Sequence, residues 1–434
     1  MSSPAQPKVP VPQWTPTQRE LDDLELLVAG SLAPPPPGFV EPGTGFLPVT
    51  LTVSKTTAEV AGAVGVLDLV DPEGAPLARL TVERTWSTTE DDRVGLVGPV
   101  TKLAHNEFGP FRQLHLPPAT LHESRSADSL LAVPVHRPLT DLDLDDIAQV
   151  AAGEGRAPLL LACVGDGMAD GVSGPALVRA TMAAATELDG GTALAVSLAD
   201  HGWTADASGE SPNDRLLDSV GTAYASAVYR IPRTASGPQP ASVAAIVERD
   251  RPPRDQQGAV IFFTGLSGSG KSTLARALVD HILEQGERTV TSLDGDVVRH
   301  HLSKGLGFNR ADRETNIVRI GFVAAEIARH GGLAICSPIA PFESTRAEVR
   351  RMVERAGGGF VLIHVATPLE ECERRDRKGL YAKARAGEIP DFTGISSPYE
   401  PPLNSYKLDT TNRDIAECLS ELLGHLVSEG WLHP

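Results

Sequence analysis

Cysteine is scarce. The 434 residues contain four, Cys163, Cys336, Cys372 and Cys418, with no CxxC pair and no other metal-ligand spacing. This argues against a disulfide framework and a cysteine-held metal, and reads as packed, reduced thiols in a cytoplasmic protein. No unbroken apolar run reaches the ~18 residues that a membrane span requires. The opening MSSPAQPKVPVPQW lacks the charged-then-apolar order of a signal peptide, so secretion and membrane spanning are both disfavoured. Positive charge is also short: 39 Lys and Arg face 56 Asp and Glu, leaving a net charge of -17. Nucleic acid and anionic membranes are therefore poor candidates for the main partner, although a local basic cluster can still hold a small anion. No internal repeat is present. His105, His115 and His122 are too widely spaced, in a loop-rich region, to read as a metal site.

Against these absences stands one dense signal, GLSGSGKST at residues 265–273, preceded by the apolar run 259–263 and followed by a helical pattern. The spacing Gly265, four residues, Gly270, Lys271, Ser272 is that of a loop whose backbone amides turn inward on phosphate. Leu266, Ser267, Gly268, Ser269 and Thr273 complete the expected ATP-binding stretch. Side chains at Gly265, Gly268 and Gly270 would block the approach of phosphate oxygens to the main chain. Lys271 would place its charge on the β- and γ-phosphates, and the Ser272 hydroxyl would ligate Mg2+.

The next predicted strand, 289–293, ends in Asp294-Gly295-Asp296. Alone, DGD would read as a strand-to-helix turn with an aspartate cap. Downstream of a phosphate loop it reads as two carboxylates, one serving the metal and the other orienting or deprotonating the attacking hydroxyl. Arg299, Arg310, Arg313 and Asn316 follow around Phe308. Guanidinium forks beside an aromatic ring suit an anionic substrate, since each fork can donate two parallel hydrogen bonds; the bland alternative is a solvated basic face. The run RRDRKGLYAKARAGEIPDFTG, from residue 374 on, suits a lid that closes over triphosphate and excludes water. Phe392 within it is available to stack on a base.

Taken in order, the chain begins with a helix at 17–28. Short strands near 47–53, 64–70 and 76–82 then suggest a mostly-β module. Strands at 130–135, 159–164 and 193–198, alternating with helices, predict a second, α/β region with a parallel sheet. Proline, glycine and charge at 233–257 mark a linker. Strands and helices then alternate in a doubly wound α/β unit. The expected domains are thus 1–125, 126–232, a linker at 233–257, and 258–434.

In the last of these, GLSGSGKST, LDGDVVRHHL, GFNRADRETNIVRIG, the lid segment and KLDTT occur in an order that closely resembles adenylylsulfate kinases. The resemblance implies a P-loop NTPase fold and transfer of the ATP γ-phosphoryl group to the 3′-hydroxyl of adenosine 5′-phosphosulfate, in sulfate assimilation, with Mg2+ as cofactor. By matched position, Arg299, Phe308, Arg313, Asn316, Ile339, Lys378 and Phe392 would contact that substrate. Lys271, Asp294 and Asp296 would be catalytic, with Asp294 joining Ser272 at the metal. One departure is plain: the family's serine of S-F-I-S-P-Y is Ala340 here, so no phosphoserine route can pass through that position.

RELDDLELLVAGSLAPPPPGFV, LPVTLTV and LVDPEGAPLARLTVERTW resemble, more weakly, the PUA-like domain of ATP sulfurylase, and residues 130–231 its nucleotidyltransferase domain. That family's Q-x-R-N and H-x-x-H signatures fall on Leu130-Leu131-Ala132-Val133 and on residues 136–139, where only His136 survives. Its G-R-D-H segment has no counterpart better than residues 229–233. The resemblance implies a degenerate scaffold serving assembly, regulation or docking of a true sulfurylase, in a homo-oligomer. The rival readings are a bifunctional sulfurylase and kinase, and a nucleotide-sensing protein without turnover.

Overall fold

The structure, a computed structural model, describes residues 10–43, 47–104, 109–206 and 209–433, apart from the side chain of Asp296; His105 also lies outside the described residues. The chain divides between Asp250 and Arg251 into two units.

In the first unit, the helix Gln18–Ala29 is fixed at both ends by sequence. Thr17 and Glu20 form a reciprocal capping box, and Gly30 closes the helix in a left-handed conformation, so a glycine ends it before the proline run is reached. A seven-stranded mixed sheet follows. Its longest strand, Arg93–Lys102, and the neighbouring Arg84–Ser87 have no counterpart in the sequence-based expectation, nor does the helix Lys55–Val64. Next comes a four-stranded parallel sheet in the order Thr192–Val196, Ala157–Cys163, Leu130–Val135, Ala227–Val228. Leu26, Leu32 and Val49 share one core with Leu130, Leu159 and Leu216. Within the stretch expected as a linker, Ala241–Asp250 is a helix. Val243 is buried with Ala176 and Leu177, and the Asp250 carboxylate receives the Ser173 amide and hydroxyl at 2.7 and 2.5 Å. The apolar spacing of Val243, Ile246 and Val247 outweighs the polar flanks there.

The second unit holds a five-stranded sheet, parallel throughout, in the order Val290–Leu293, Leu333–Cys336, Ala259–Thr264, Gly359–Val365, Tyr406–Leu408. Strand Ala259–Thr264 is central and buried along its whole length. Ala259, Ile261 and Phe263 face a core completed by Leu278, Leu422 and Leu426. Val260 and Phe262 face the opposite core, with Ile320, Ala324 and Val349. Burial on both faces is what a parallel sheet between helical layers requires. Because the chain leaves the central strand in one direction and returns on its other side, the carboxyl ends of the strands open a crevice. No helix among the described residues is long and apolar enough to cross a membrane, and all four cysteines are buried and free.

Candidate active site

The central strand runs directly into the glycine loop. Gly265, Gly268 and Gly270 hold φ of 146°, 76° and 101°, values that side chains with a Cβ rarely adopt. Gly265 is constrained twice: a Cβ there would also lie 2.5 Å from the Val365 carbonyl oxygen. The helix Lys271–Gln285 begins at Gly270 without any side-chain cap, so its positive end and free amides face the loop.

The loop is held from behind by residues that its own sequence does not reveal. Thr367 and Thr410 donate their hydroxyls to the Ser269 carbonyl at 3.1 and 2.9 Å. Arg375 in turn grips Thr410 through its hydroxyl and carbonyl, and the Tyr381 hydroxyl donates to Ser267 O at 2.8 Å. The Ser269 Oγ is buried and has no protein partner.

Lys271 is buried, and its Nζ donates to Leu266 O at 2.7 Å. Burial pushes its ammonium down to about 8, against smaller opposing pulls from Cys372 and Asp294. Between pH 8 and 10.5 the folded group thus carries fewer protons than the unfolded one, so its own contribution to the stability of the unliganded protein rises with pH across that window. A polyphosphate beside Nζ reverses the shift. Nucleotide binding near pH 8.5 is therefore expected to take up a proton, measurable as a buffer-dependent enthalpy in calorimetry, and Lys271→Met should abolish that uptake.

Asp294 stands where strand Val290–Leu293 meets the helix Gly295–His301. The Ser337 hydroxyl donates to it at 3.5 Å, and Arg276 approaches to 3.8 Å. Ser272 lies half-buried in the first turn after the loop. Among the described residues no group of three or more His, Cys, Asp or Glu is arranged to hold a metal. His122 instead bonds the Tyr224 carbonyl, and His115 lies between Glu25 and Ser197.

On the acceptor side, Asn309 caps the helix Arg310–Arg329, which places Arg313 and Asn316 in its first two turns. Arg313 donates to Thr393 and Ser397, while its Nε is buried without a partner. Asn316 is buried, and its Oδ1 is likewise unpartnered. Arg299 lies 4.2 Å from the centre of the Phe308 ring and donates to Gly307 O at 3.1 Å; Phe308 itself is exposed. Ile339 turns its carbonyl to the Thr264 hydroxyl at 2.6 Å, joining this side to the end of the central strand. Phe392 meets Tyr381 edge-on at 5.1 Å. Lys378 is exposed at a turn between the helices Leu369–Arg375 and Leu380–Arg385.

Part of the basic run is internally neutralised. Arg374 and Arg375 both bond Glu371, and Arg385 bonds Glu373. The two arginines hold the Glu371 carboxyl well down, at about 2.

In the first unit, the four positions aligned with Q-x-R-N are core: Leu130, Leu131, Ala132 and Val133 are at most 1% exposed. His136 is buried against Trp203 and pushed by burial to about 4. Arg137 forms a buried fork with Asp143, and Leu139 packs in the core. Arg230, in the segment considered for G-R-D-H, is paired with Asp218 and Glu210.

Residues 257–408 match the family model for adenylylsulphate kinase. Among curated proteins, a sulfate adenylyltransferase of Aspergillus fumigatus is 46% identical over 224 residues, covering 51% of this chain and 38% of that protein. One from Neosartorya fischeri is 49% identical over 190 residues, covering 44% and 33%. The chain thus spans little more than a third of the curated relatives it matches. Among solved structures, a hexameric APS kinase from Thiobacillus denitrificans is similar over 98% of this chain and 94% of its own, with TM-score 0.71 and 29% identity. With the phosphate loop, the aspartate turn and the Arg313 helix all inside the matched span, the second unit belongs to the adenylylsulphate kinase family.

Proposed function

We propose that the chain is an adenylylsulfate kinase, transferring the γ-phosphoryl group of ATP to the 3′-hydroxyl of adenosine 5′-phosphosulfate for sulfate assimilation. The observation that carries this is the acceptor side. Arg313 Nε and Asn316 Oδ1 are a donor and an acceptor, both buried and both unpartnered, beside a formed phosphate loop. Each such group costs about 1–3 kcal/mol until something bonds it, and a ligand with an anionic oxygen and a hydroxyl or amine does so.

Residues 265–273 would cradle the triphosphate, with Lys271 on its β- and γ-oxygens. Ser272 and Asp294 offer the hard oxygen donors that Mg2+ prefers, the remaining positions falling to phosphate and water. Bound there, Mg2+ would neutralise phosphate charge. Asp296 would orient the 3′-hydroxyl and take its proton. Arg299, Phe308, Arg313, Asn316, Ile339, Lys378 and Phe392 would hold adenylylsulfate, and the segment from Arg374 would keep water out. Ala340 offers no nucleophile, so transfer is direct and in line.

The first unit, divided near residue 125, would be a PUA-like module and a degenerate nucleotidyltransferase scaffold that extends through the helix Ala241–Asp250. Its roles would be homo-oligomer assembly, as in the relative described as hexameric, or docking of a sulfurylase in the cytoplasm. A second reading, that it still adenylylates sulfate, is favoured by the name of the curated relatives and opposed by the apolar residues at 130–133.

Product analysis separates these. Purified full-length protein with ATP and Mg2+ should yield 3′-phosphoadenosine 5′-phosphosulfate from adenylylsulfate and nothing from sulfate. Sulfate-dependent pyrophosphate would establish the bifunctional reading, and no product from either would leave a nucleotide-binding protein without turnover.

A further inference from the structure

Several arginines of the second unit are answered by carboxylates: Arg310 by Glu314, Arg374 and Arg375 by Glu371, Arg385 by Glu373. Arg313 is held differently. Its Nη1 donates to Thr393 Oγ1 at 2.8 Å and its Nη2 to Ser397 Oγ at 3.0 Å.

Both hydroxyls come from one closed turn. The amides of Ile395, Ser396 and Ser397 converge on the Phe392 carbonyl, and the Gly394 amide donates to Ser397 O. Thr393 and Ser397 are buried, at 5% and 9% exposure. Gly394 has φ +92°, and a Cβ there would lie 3.0 Å from Leu266 Cδ2. The turn is therefore wedged between the phosphate loop and the guanidinium.

A guanidinium is a planar set of five N–H donors. One hydroxyl on each Nη fixes its plane and its rotation, while Nε stays buried and unpartnered. A carboxylate would fix the same plane but would cancel the charge that an anionic substrate needs. We propose that Thr393 and Ser397 are positioning residues for adenylylsulfate, neutral acceptors that aim the Arg313 fork at the substrate's anion without neutralising it. The inference rests on the kinase reading above and adds to it two residues and a reason for their chemistry.

The test is steady-state kinetics of the full chain, with adenylylsulfate and ATP varied in turn, and a melting curve for each variant. Thr393→Val with Ser397→Ala should raise KM for adenylylsulfate about tenfold, the loss expected when a charged hydrogen-bond donor is no longer held in place. KM for ATP should hold, and the melting temperature should fall by only a few degrees, about what two lost, partly buried hydrogen bonds cost. The hydroxyl-preserving pair Thr393→Ser with Ser397→Thr should restore the wild-type value. Thr393→Asp should weaken adenylylsulfate at least as much as the double variant, despite making a stronger bond to Arg313.

Equal rises in both KM values, or failure of the hydroxyl-preserving pair to restore binding, would reduce the turn to packing and overturn the proposal. So would wild-type affinity in Thr393→Asp. A wild-type protein with no adenylylsulfate-dependent turnover would instead sink the kinase reading, and this inference with it.

Discussion

Replacing Lys271 by alanine is expected to lower turnover by at least about 10³-fold while leaving the unliganded protein as stable as before, or more so. The kinetic half follows from position. A charge preorganised in a buried site needs no reorganisation as the transferring phosphoryl group develops its own, and removing one such donor typically costs about 10²–10³ in kcat even when it is neutral. The stability half follows from burial. Among the described residues no carboxylate lies within bonding distance of Nζ, which bonds the Leu266 carbonyl, and desolvation has already pulled its pKa to about 8. Alanine removes that strain at the first position of a helix, where it is the best helix former. Opposite movements of kcat and melting temperature are therefore expected, measured by coupled assay and calorimetry. Retained turnover would remove Lys271 from the phosphates, and a collapsed melting temperature would make it a structural residue.

The second large effect is on stability. Arg346 is 1% exposed. It donates to the Ala340 carbonyl at 2.7 Å, the Glu400 carbonyl at 2.6 Å and the Glu343 carboxylate at 2.6 Å. Ala340 itself sits at φ +43°, a left-handed conformation that an alanine holds only when its surroundings impose it. Arg346→Leu leaves both carbonyls short of a donor and frees the turn. Breaking a buried ionic contact of this kind costs about 3–5 kcal/mol; since Glu343 is half in water, the lower end applies. At roughly 2–4 °C per kcal/mol for a unit of this size, the transition of the second unit should fall by about 6–12 °C. Calorimetry can identify that transition by its upward shift with ATP. A fall of 1 °C or less would mean that Tyr399, which bonds Thr264 from the other side, holds the turn unaided.

How far these features could be read beforehand depends on how local their causes are. The phosphate loop, the aspartate turn and the central strands were legible because each is a short string whose backbone geometry follows from its own residues. The threonine support of Ser269 was not, since Thr367 and Thr410 join it across 98 and 141 residues and neither carries a local signature. Arg346 was hidden for another reason. The helix Glu343–Arg355 is so charged that its buried stripe of Thr345, Arg346, Val349 and Val353 does not read as apolar. The neutralised part of the basic run, by contrast, was open to a closer reading, because Glu371 precedes Arg374 and Arg375 by three and four residues. In the first unit, Gly62 and a pair of threonines masked the helix Lys55–Val64, and tertiary packing decided it.

The strand Leu130–Val135, buried from end to end, also fixes what the first unit can become. To acquire the polar donors of a nucleotidyltransferase at residues 130–133, the chain would have to bury several amides or charges in a closed core. Each intermediate would lose about 1–3 kcal/mol with no ligand yet bound to offset it, against a typical domain stability of about 5–15 kcal/mol. Each step towards such donors thus costs stability before any ligand can offset it, although no single step exceeds the margin that keeps a domain folded.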